Sequence, residues 1–283
     1  MSHAGRDRLR VAFETLGCRS NFADTVDLQL ACAEKGAAPI EFSGEADVYV
    51  INTCTVTDGA DKDVRKIVRR LRERKPEARI VITGCLAEVE EGRSFAEDEG
   101  FQVIGTGRRN QVVEAIFSAD SQPSNRAMTV REQKKRKSIS LDQELPDIVP
   151  GPHGALGEIE MRSRFHLRVQ EGCDSSCTYC IIPRTRGALS SRPLADVLAD
   201  AKKIYAAGYS EVVLTGTHLG GYGEDAGISL TILLKELLAL DLPLRYRLSS
   251  LDPDDVSLEL LDVWQESARI CRHFHICLQA LDD

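Results

Sequence analysis

The stretch Phe165–Cys180, FHLRVQEGCDSSCTYC, is an apolar strand that runs directly into three cysteines spaced C-x3-C-x2-C: Cys173, Cys177 and Cys180. A helical pattern follows at Pro193–Ala207, with Ser191 as its N-cap and Gly208 as its stop. The alternation then continues. EVVLT (Glu211–Thr215) reads as a strand, Leu230–Leu240 as a helix, Leu244–Ser249 as a strand, Asp254–Glu266 as a helix and His273–Gln279 as a strand. Repeated βα units make an α/β fold with parallel strands, which need cover on both faces and neighbours on both edges. A barrel built from so few strands is incomplete, so the sequence is expected to be a C-terminally truncated piece of a longer protein.

The N-terminal part carries the same rhythm. Arg10–Gly17, Asp47–Asn52, Arg79–Thr83 and Phe101–Ile104 read as strands. Ala23–Lys35, Asp61–Arg74, Ala87–Asp98 and Asn110–Phe117 read as helices. Between the two halves, Ser118–Arg162 is rich in Ser, Gln, Pro and Gly and includes the basic run QKKRK (Gln133–Lys137). It reads as a linker that adds an edge hairpin.

Composition narrows the class. The chain has 283 residues, 42% hydrophobic and 28% charged, an ordinary soluble balance. The polar start MSHAGRDRLR holds no apolar signal core, and no apolar run is long enough to span a bilayer, so a cytoplasmic protein without a membrane partner is expected. A net charge of −8 argues against non-specific coating of nucleic acid. Nine cysteines in a reducing compartment point to metal ligation, catalysis or burial rather than disulfides.

Three thiolates on one tight loop can hold three irons of a 4Fe–4S cluster and leave the fourth open, whereas structural zinc prefers four closed ligands. The competing reading, three small buried hydrophobes, is weakened by their closeness on a strand-to-helix loop. Cys18, Cys54 and Cys85 share a different address: each follows a strand, in TLGC, INTC and ITGC. The carboxyl ends of parallel strands lie along one edge, where ligands bind, so these three form a second candidate cluster site. Cys32, Cys271 and Cys277 read as packing residues. Gly105-Thr106-Gly107 reads as a turn, since it lacks the third glycine of a dinucleotide fingerprint. Gly220, Gly221 and Gly223 read as a flexible loop or a place where backbone approaches a ligand. Arg65, Lys66, Arg69, Arg70, Arg72, Arg74 and Lys75 crowd one helix, and Lys134–Lys137 another segment; each is a solvated face or an RNA contact.

CDSSCTYC, with Tyr179 before its last cysteine, resembles the radical SAM superfamily. The two cysteine triplets in this order resemble the methylthiotransferases. NTCTVTDGADKDVRKIVRR (Asn52–Arg70) and Cys177–Gly223 look most like the branch that modifies threonylcarbamoyladenosine (t6A) in tRNA. Asn21 matches the family pattern, while its neighbours Ser20 and Phe22 differ.

The resemblance implies a Rossmann/flavodoxin-like parallel sheet over 8–118 that carries the second cluster, a linker over 119–162 and a partial radical SAM (β/α) barrel over 163–283. The family's C-terminal TRAM domain is expected to be absent from this truncated piece. It implies two 4Fe–4S clusters and S-adenosylmethionine (SAM), which binds the open iron and is cleaved to methionine and a 5′-deoxyadenosyl radical. It implies SAM contacts at Tyr179 (through its backbone), Thr215, Gly216, Thr217, Ser249 and Asp252, and substrate contacts at Arg184 and Arg186. The implied activity is radical insertion of a methylthio group at C2 of t6A beside the anticodon. The partners would be tRNA, an electron donor and a sulfur source, and the enzyme a monomer. The neighbouring readings are methylthiolation of isopentenyladenosine in tRNA, or of a ribosomal-protein aspartate. An electron carrier is disfavoured, because carriers saturate their clusters with cysteine.

Overall fold

The computed structural model describes residues 8–55, 60–90, 92, 94, 101–118, 145–146, 149–152, 155–156 and 159–279. Residues 1–128 with 155–160 form one compact unit, and 129–154 with 161–283 a second.

In the first unit, β1 (Arg10–Thr15), β2 (Ala38–Ile40), β3 (Val48–Thr53), β4 (Arg79–Gly84) and β5 (Gln102–Gly105) form an all-parallel sheet ordered β2-β1-β3-β4-β5. This is the flavodoxin-like order, with its switch point between β1 and β3. All six residues of β3 are buried, as a central parallel strand covered on both faces requires. Its side chains alternate. Val48 and Val50 pack with Leu28 and Cys32 of α1 (Arg19–Glu34) and with Val112, Val113 and Ile116 of a helix near residue 112. Tyr49 and Ile51 pack with Val64, Val68 and Leu71 of α2 (Ala60–Arg74). The helix near residue 112 is α3 (Arg109–Phe117). A small antiparallel hairpin, β6 (Ala155–Leu156) with β7 (Ile159–Glu160), completes this unit.

In the second unit, β8 (Phe165–Arg168) is followed by β9 (Gln170–Glu171), which pairs antiparallel with β10 (Ser190–Ser191). Strand β11 (Glu211–Thr215) lies parallel between β8 and β12 (Arg245–Leu248). Next along the chain, β13 (Ser250–Leu251) pairs parallel with β14 (His275–Ile276). The helices are α4 (Ile182–Thr185), α5 (Leu194–Ala206), α6 (Leu230–Ala239) and α7 (Leu258–Glu266). Among the described strands, β8 and β14 each have a strand neighbour on one edge only, so these strands do not close a barrel.

Several boundaries differ from the sequence reading. Helix α1 begins at Arg19, immediately after Cys18. Its polar first turn resembles a loop in sequence, but Asn21 is fully buried and hydrogen-bonded there. Ser191 does not cap α5, whose N-cap position is Pro193. The Ser191 hydroxyl instead accepts from the Gly223 N–H at 2.8 Å. The Asp254–Glu266 helix is a 3-10 turn at Pro253–Asp255 followed by α7, whose cap Ser257 accepts from the Leu260 N–H. The last strand shrinks to His275–Ile276, and Cys277 beyond it is partly exposed rather than packed. The Ala87–Asp98 helix opens as the 3-10 turn Cys85–Glu88, and residues 90, 92 and 94 beyond it are helical. Residues 91, 93 and 95–100, the QKKRK run and most of the linker lie outside the described residues.

Candidate functional site

All nine cysteines are free. In the first unit, Cys54 and Cys85 each come one residue after a strand, β3 and β4, whose last residues Thr53 and Gly84 are register partners. Cys18 follows β1, which also pairs with β3. The three therefore leave adjacent strands at the carboxyl edge, beside the switch point. Cys18 is exposed and occupies the N-cap of α1; Cys54 and Cys85 are buried, and Cys85 opens a 3-10 turn. Unpaired N–H groups at helix starts favour a nearby negative charge, which suits thiolate-bound iron.

Two glycines make room. Gly17 has φ +105°, and a Cβ there would come within 2.7 Å of Cys54 Sγ. Gly84 has φ +96°, and a Cβ there would come 2.3 Å from the Thr53 carbonyl oxygen. Asn21 ties the loops together. Its amide donates to the Leu16 and Thr53 carbonyls at 2.9 and 2.7 Å, and its Oδ1 faces Cys18 Sγ at 3.6 Å. Sequence reading noted Asn21 only as a family match; its link between β1 and β3 is a contact 32 residues apart. Gly17→Ala is expected to displace Cys54, through both the overlap and the positive φ. Reconstituted protein would then bind fewer irons with its second unit intact; unchanged iron content would refute the close-approach role.

In the second unit, β9 and β10 close the base of the loop that carries Cys173, Cys177 and Cys180. The Cys173 N–H donates to the Gly187 carbonyl, and the Leu189 N–H to Asp174 Oδ1. Gly172 has φ +72°, with the Ala188 carbonyl where a Cβ would stand. Beneath the loop lies a buried charge group: Arg186 Nη1 meets Glu171 Oε1 at 2.5 Å, and Arg168 Nη1 lies 3.5 Å from Glu171 Oε2. None of the three side chains exceeds 5% exposure. Arg186 thus anchors the loop and is not presented to a substrate, which corrects the sequence reading. Arg184 remains exposed.

Cys173 and Cys180 are partly exposed and Cys177 exposed, so none is lost in an apolar pocket. Cys173 Sγ accepts from the Ser175 N–H at 3.4 Å. Three open thiols on one pinned loop fit three irons of a cluster.

The other residues named from sequence gather at the ends of β11, β12 and β13. Gly216 N–H donates to Ser249 Oγ at 3.4 Å. A Cβ at Gly216 would meet Gln170 Oε1 at 2.8 Å. Thr217 Oγ1 is buried with no partner among the described residues. Thr215 is fully buried, its hydroxyl on the Val213 carbonyl of its own strand. Asp252 and Asp255 form a reciprocal capping box around Pro253–Asp255. The Tyr179 hydroxyl donates to Gln279 Oε1 at 2.5 Å.

His218, absent from the sequence reading, joins these groups. Its Nε2 lies 3.3 Å from Asp255 Oδ1 and 3.9 Å from Asp252 Oδ2, and its Nδ1 3.8 Å from Cys173 Sγ. The hydrogen bond to Asp255 pushes the His218 pKa up to about 9, against the opposing effect of burial. The signal available in sequence was its place in TGTH, three residues past a strand end.

No helix among the described residues is long and apolar enough to cross a membrane. The profile of the uncharacterized protein family UPF0004 matches residues 10–105, and that of the Radical SAM superfamily residues 167–283. The threonylcarbamoyladenosine tRNA methylthiotransferase MtaB of Bacillus subtilis is 37% identical over 274 residues, 95% of this chain and 57% of that protein. Its namesake from Aquifex aeolicus is 36% identical over 272 residues, 96% of this chain and 63% of that protein. The chain thus spans less than two thirds of the length of these curated relatives. A solved radical S-adenosylmethionine methyltransferase, TsrM from Kitasatospora setae with cobalamin and a [4Fe-4S] cluster bound, shares the fold. Its TM-score is 0.60 at 13% identity, over 95% of this chain and 61% of that one. Residues 10–105 and 167–283 thus match the UPF0004 and Radical SAM models, and almost the whole chain is similar to part of these methylthiotransferases.

Proposed function

We propose that this chain is the catalytic portion of a cytoplasmic, monomeric tRNA methylthiotransferase that adds a methylthio group at C2 of t6A next to the anticodon. The observation that carries the reading is the pinned loop of three open thiols, Cys173, Cys177 and Cys180, at the carboxyl ends of parallel strands. With SAM bound, the 4Fe–4S cluster they would hold supplies one-electron cleavage of SAM to methionine and a 5′-deoxyadenosyl radical. Cys18, Cys54 and Cys85 would hold a second cluster, in a domain spanning 8–118, with a linker over 119–162 and the radical SAM domain over 163–283. An external electron donor and a sulfur source complete the set of partners.

The chain's own residues hold and orient. Gln170 fixes the backbone on either side of the loop entry, its Nε2 donating to the Glu171 and Gly172 carbonyls at 2.8 and 2.6 Å. The bare backbone of Gly216 and the unpartnered Thr217 hydroxyl offer polar groups to the methionine part of SAM, and Ser249, Asp252 and the Tyr179 backbone to the remainder. The exposed Arg184 would meet the substrate. On α2, Lys66, Arg69, Arg70 and Arg74 are exposed while Val64, Val68 and Leu71 face the core, so this helix presents cations to an RNA backbone.

The experiment has two arms. Nucleosides of tRNA from cells lacking the gene are measured by mass spectrometry, and loss of 2-methylthio-t6A with accumulation of t6A is expected. Loss of methylthio-isopentenyladenosine instead, or an unchanged profile, would overturn the assignment. In the second arm, charge reversal at Lys66, Arg69 and Arg70 in full-length protein is expected to weaken tRNA binding and flatten its salt dependence by about 2–3 in log–log slope. An unaltered salt slope would remove α2 from the interface.

A further inference from the structure

We propose that His218 is a positioning residue for the cluster on Cys173, Cys177 and Cys180. It donates an imidazole N–H to the Cys173 sulfur and so makes the cluster easier to reduce. The inference rests on the reading of that loop as a cluster site.

The imidazole is held from three directions. Nδ1 faces Cys173 Sγ at 3.8 Å, within reach of an N–H···S hydrogen bond. Nε2 faces Asp255 Oδ1 at 3.3 Å on the opposite side of the ring. The His218 backbone N–H donates to Gln170 Oε1 at 2.8 Å. The same Gln170 amide holds the Glu171 and Gly172 carbonyls immediately before Cys173. One buried side chain therefore sets the register of both the sulfur and the ring that addresses it.

Two glycines of LGGYG, Gly220 and Gly221, leave room beside this pair, and Gly221 also lies against Leu189. A Cβ on Gly220 would fall 1.9 Å from Asp255 Cγ, and one on Gly221 would fall 3.1 Å from His218 Nδ1. Within a run that reads in sequence as a flexible loop or a place where backbone approaches a ligand, Gly220 and Gly221 thus make room for a carboxylate and an imidazole. Asp255 is itself fixed, since its Oδ2 accepts the Asp252 N–H at 2.7 Å. A carboxylate that orients an imidazole towards a metal-site ligand is a common way to tune such a site. Hydrogen bonds to cluster sulfur favour the reduced, more negatively charged state and raise the reduction potential.

The test uses full-length, anaerobically reconstituted protein, with iron content and the midpoint potential of the SAM-site cluster read by electron paramagnetic resonance during redox titration. His218→Leu is expected to keep its iron and shift the midpoint to a more negative potential. His218→Asn, which places an amide N–H near the Nδ1 position, is expected to recover most of that shift. Asp255→Asn is expected to give a smaller shift of the same sign. If His218→Leu loses iron, the order of the other three proteins decides: the wild type and His218→Asn must both lie above Asp255→Asn. Equal potentials across the variants would overturn the proposal while leaving the site reading intact. A wild-type protein with no reducible cluster on this loop would overturn both.

Discussion

Replacing any one of Cys173, Cys177 or Cys180 with Ala in reconstituted full-length protein is expected to lower its iron from about eight to about four per chain. Release of 5′-deoxyadenosine from SAM should fall to background, because the cluster that delivers the electron is gone. Cys54→Ala or Cys85→Ala should remove the other four irons and leave SAM cleavage in place, since these residues belong to a separate compact unit. Cys32→Ala is the control. Cys32 is fully buried among Val11, Leu28 and Val48, and burial pushes its thiol up to about 12, which makes it a poor ligand. Iron content that is indifferent to the first triplet, or equally sensitive to Cys32, would end the two-site reading.

Glu171→Ala should unfold the second unit more readily than any surface change. It leaves Arg186 and Arg168 side by side in a site at most 5% exposed, with the anion that neutralised them removed. Breaking a buried pair from one side costs about 3–5 kcal/mol. For a unit of this size that corresponds to a fall of roughly 6–20 °C in melting temperature. Glu171→Met combined with Arg186→Leu should recover part of the loss, since two apolar groups replace two charges. Thermal unfolding followed by circular dichroism reads both variants, and a loss below about 1 kcal/mol for Glu171→Ala would show that the pair does not anchor the loop.

These expectations divide along what a linear sequence can carry. The strands DVYVINTC and RIVITGC were legible because a buried parallel strand is a continuous apolar run, and both cysteines sit at its end. The Rossmann/flavodoxin-like sheet, which the family resemblance implied, is met with the order β2-β1-β3-β4-β5. Arg186 was misread because its partner Glu171 lies 15 residues away across β9 and β10, a pairing that neither periodicity nor spacing encodes. His218 was missed for the same reason, 45 residues from Cys173. The start of α1 was misplaced because Asn21 looks like a loop residue until its hydrogen bonds with Asn52 and Thr53 are seen. Local propensity gave way there to a tertiary contact. Ser191 met every sequence rule for an N-cap, yet its hydroxyl was taken by Gly223, 32 residues further on.

The separate crossovers that deliver Cys18, Cys54 and Cys85 set the order in which the protein can mature. No continuous peptide holds that triplet, so a cluster bound there, as proposed, would be gripped only after β1, β3 and β4 have docked side by side. The CDSSCTYC loop is sealed by its own hairpin and needs far less of the chain in place. During synthesis the upstream half emerges first, but metal at its proposed site would wait on long-range assembly, whereas the proposed downstream site could load soon after its hairpin closes.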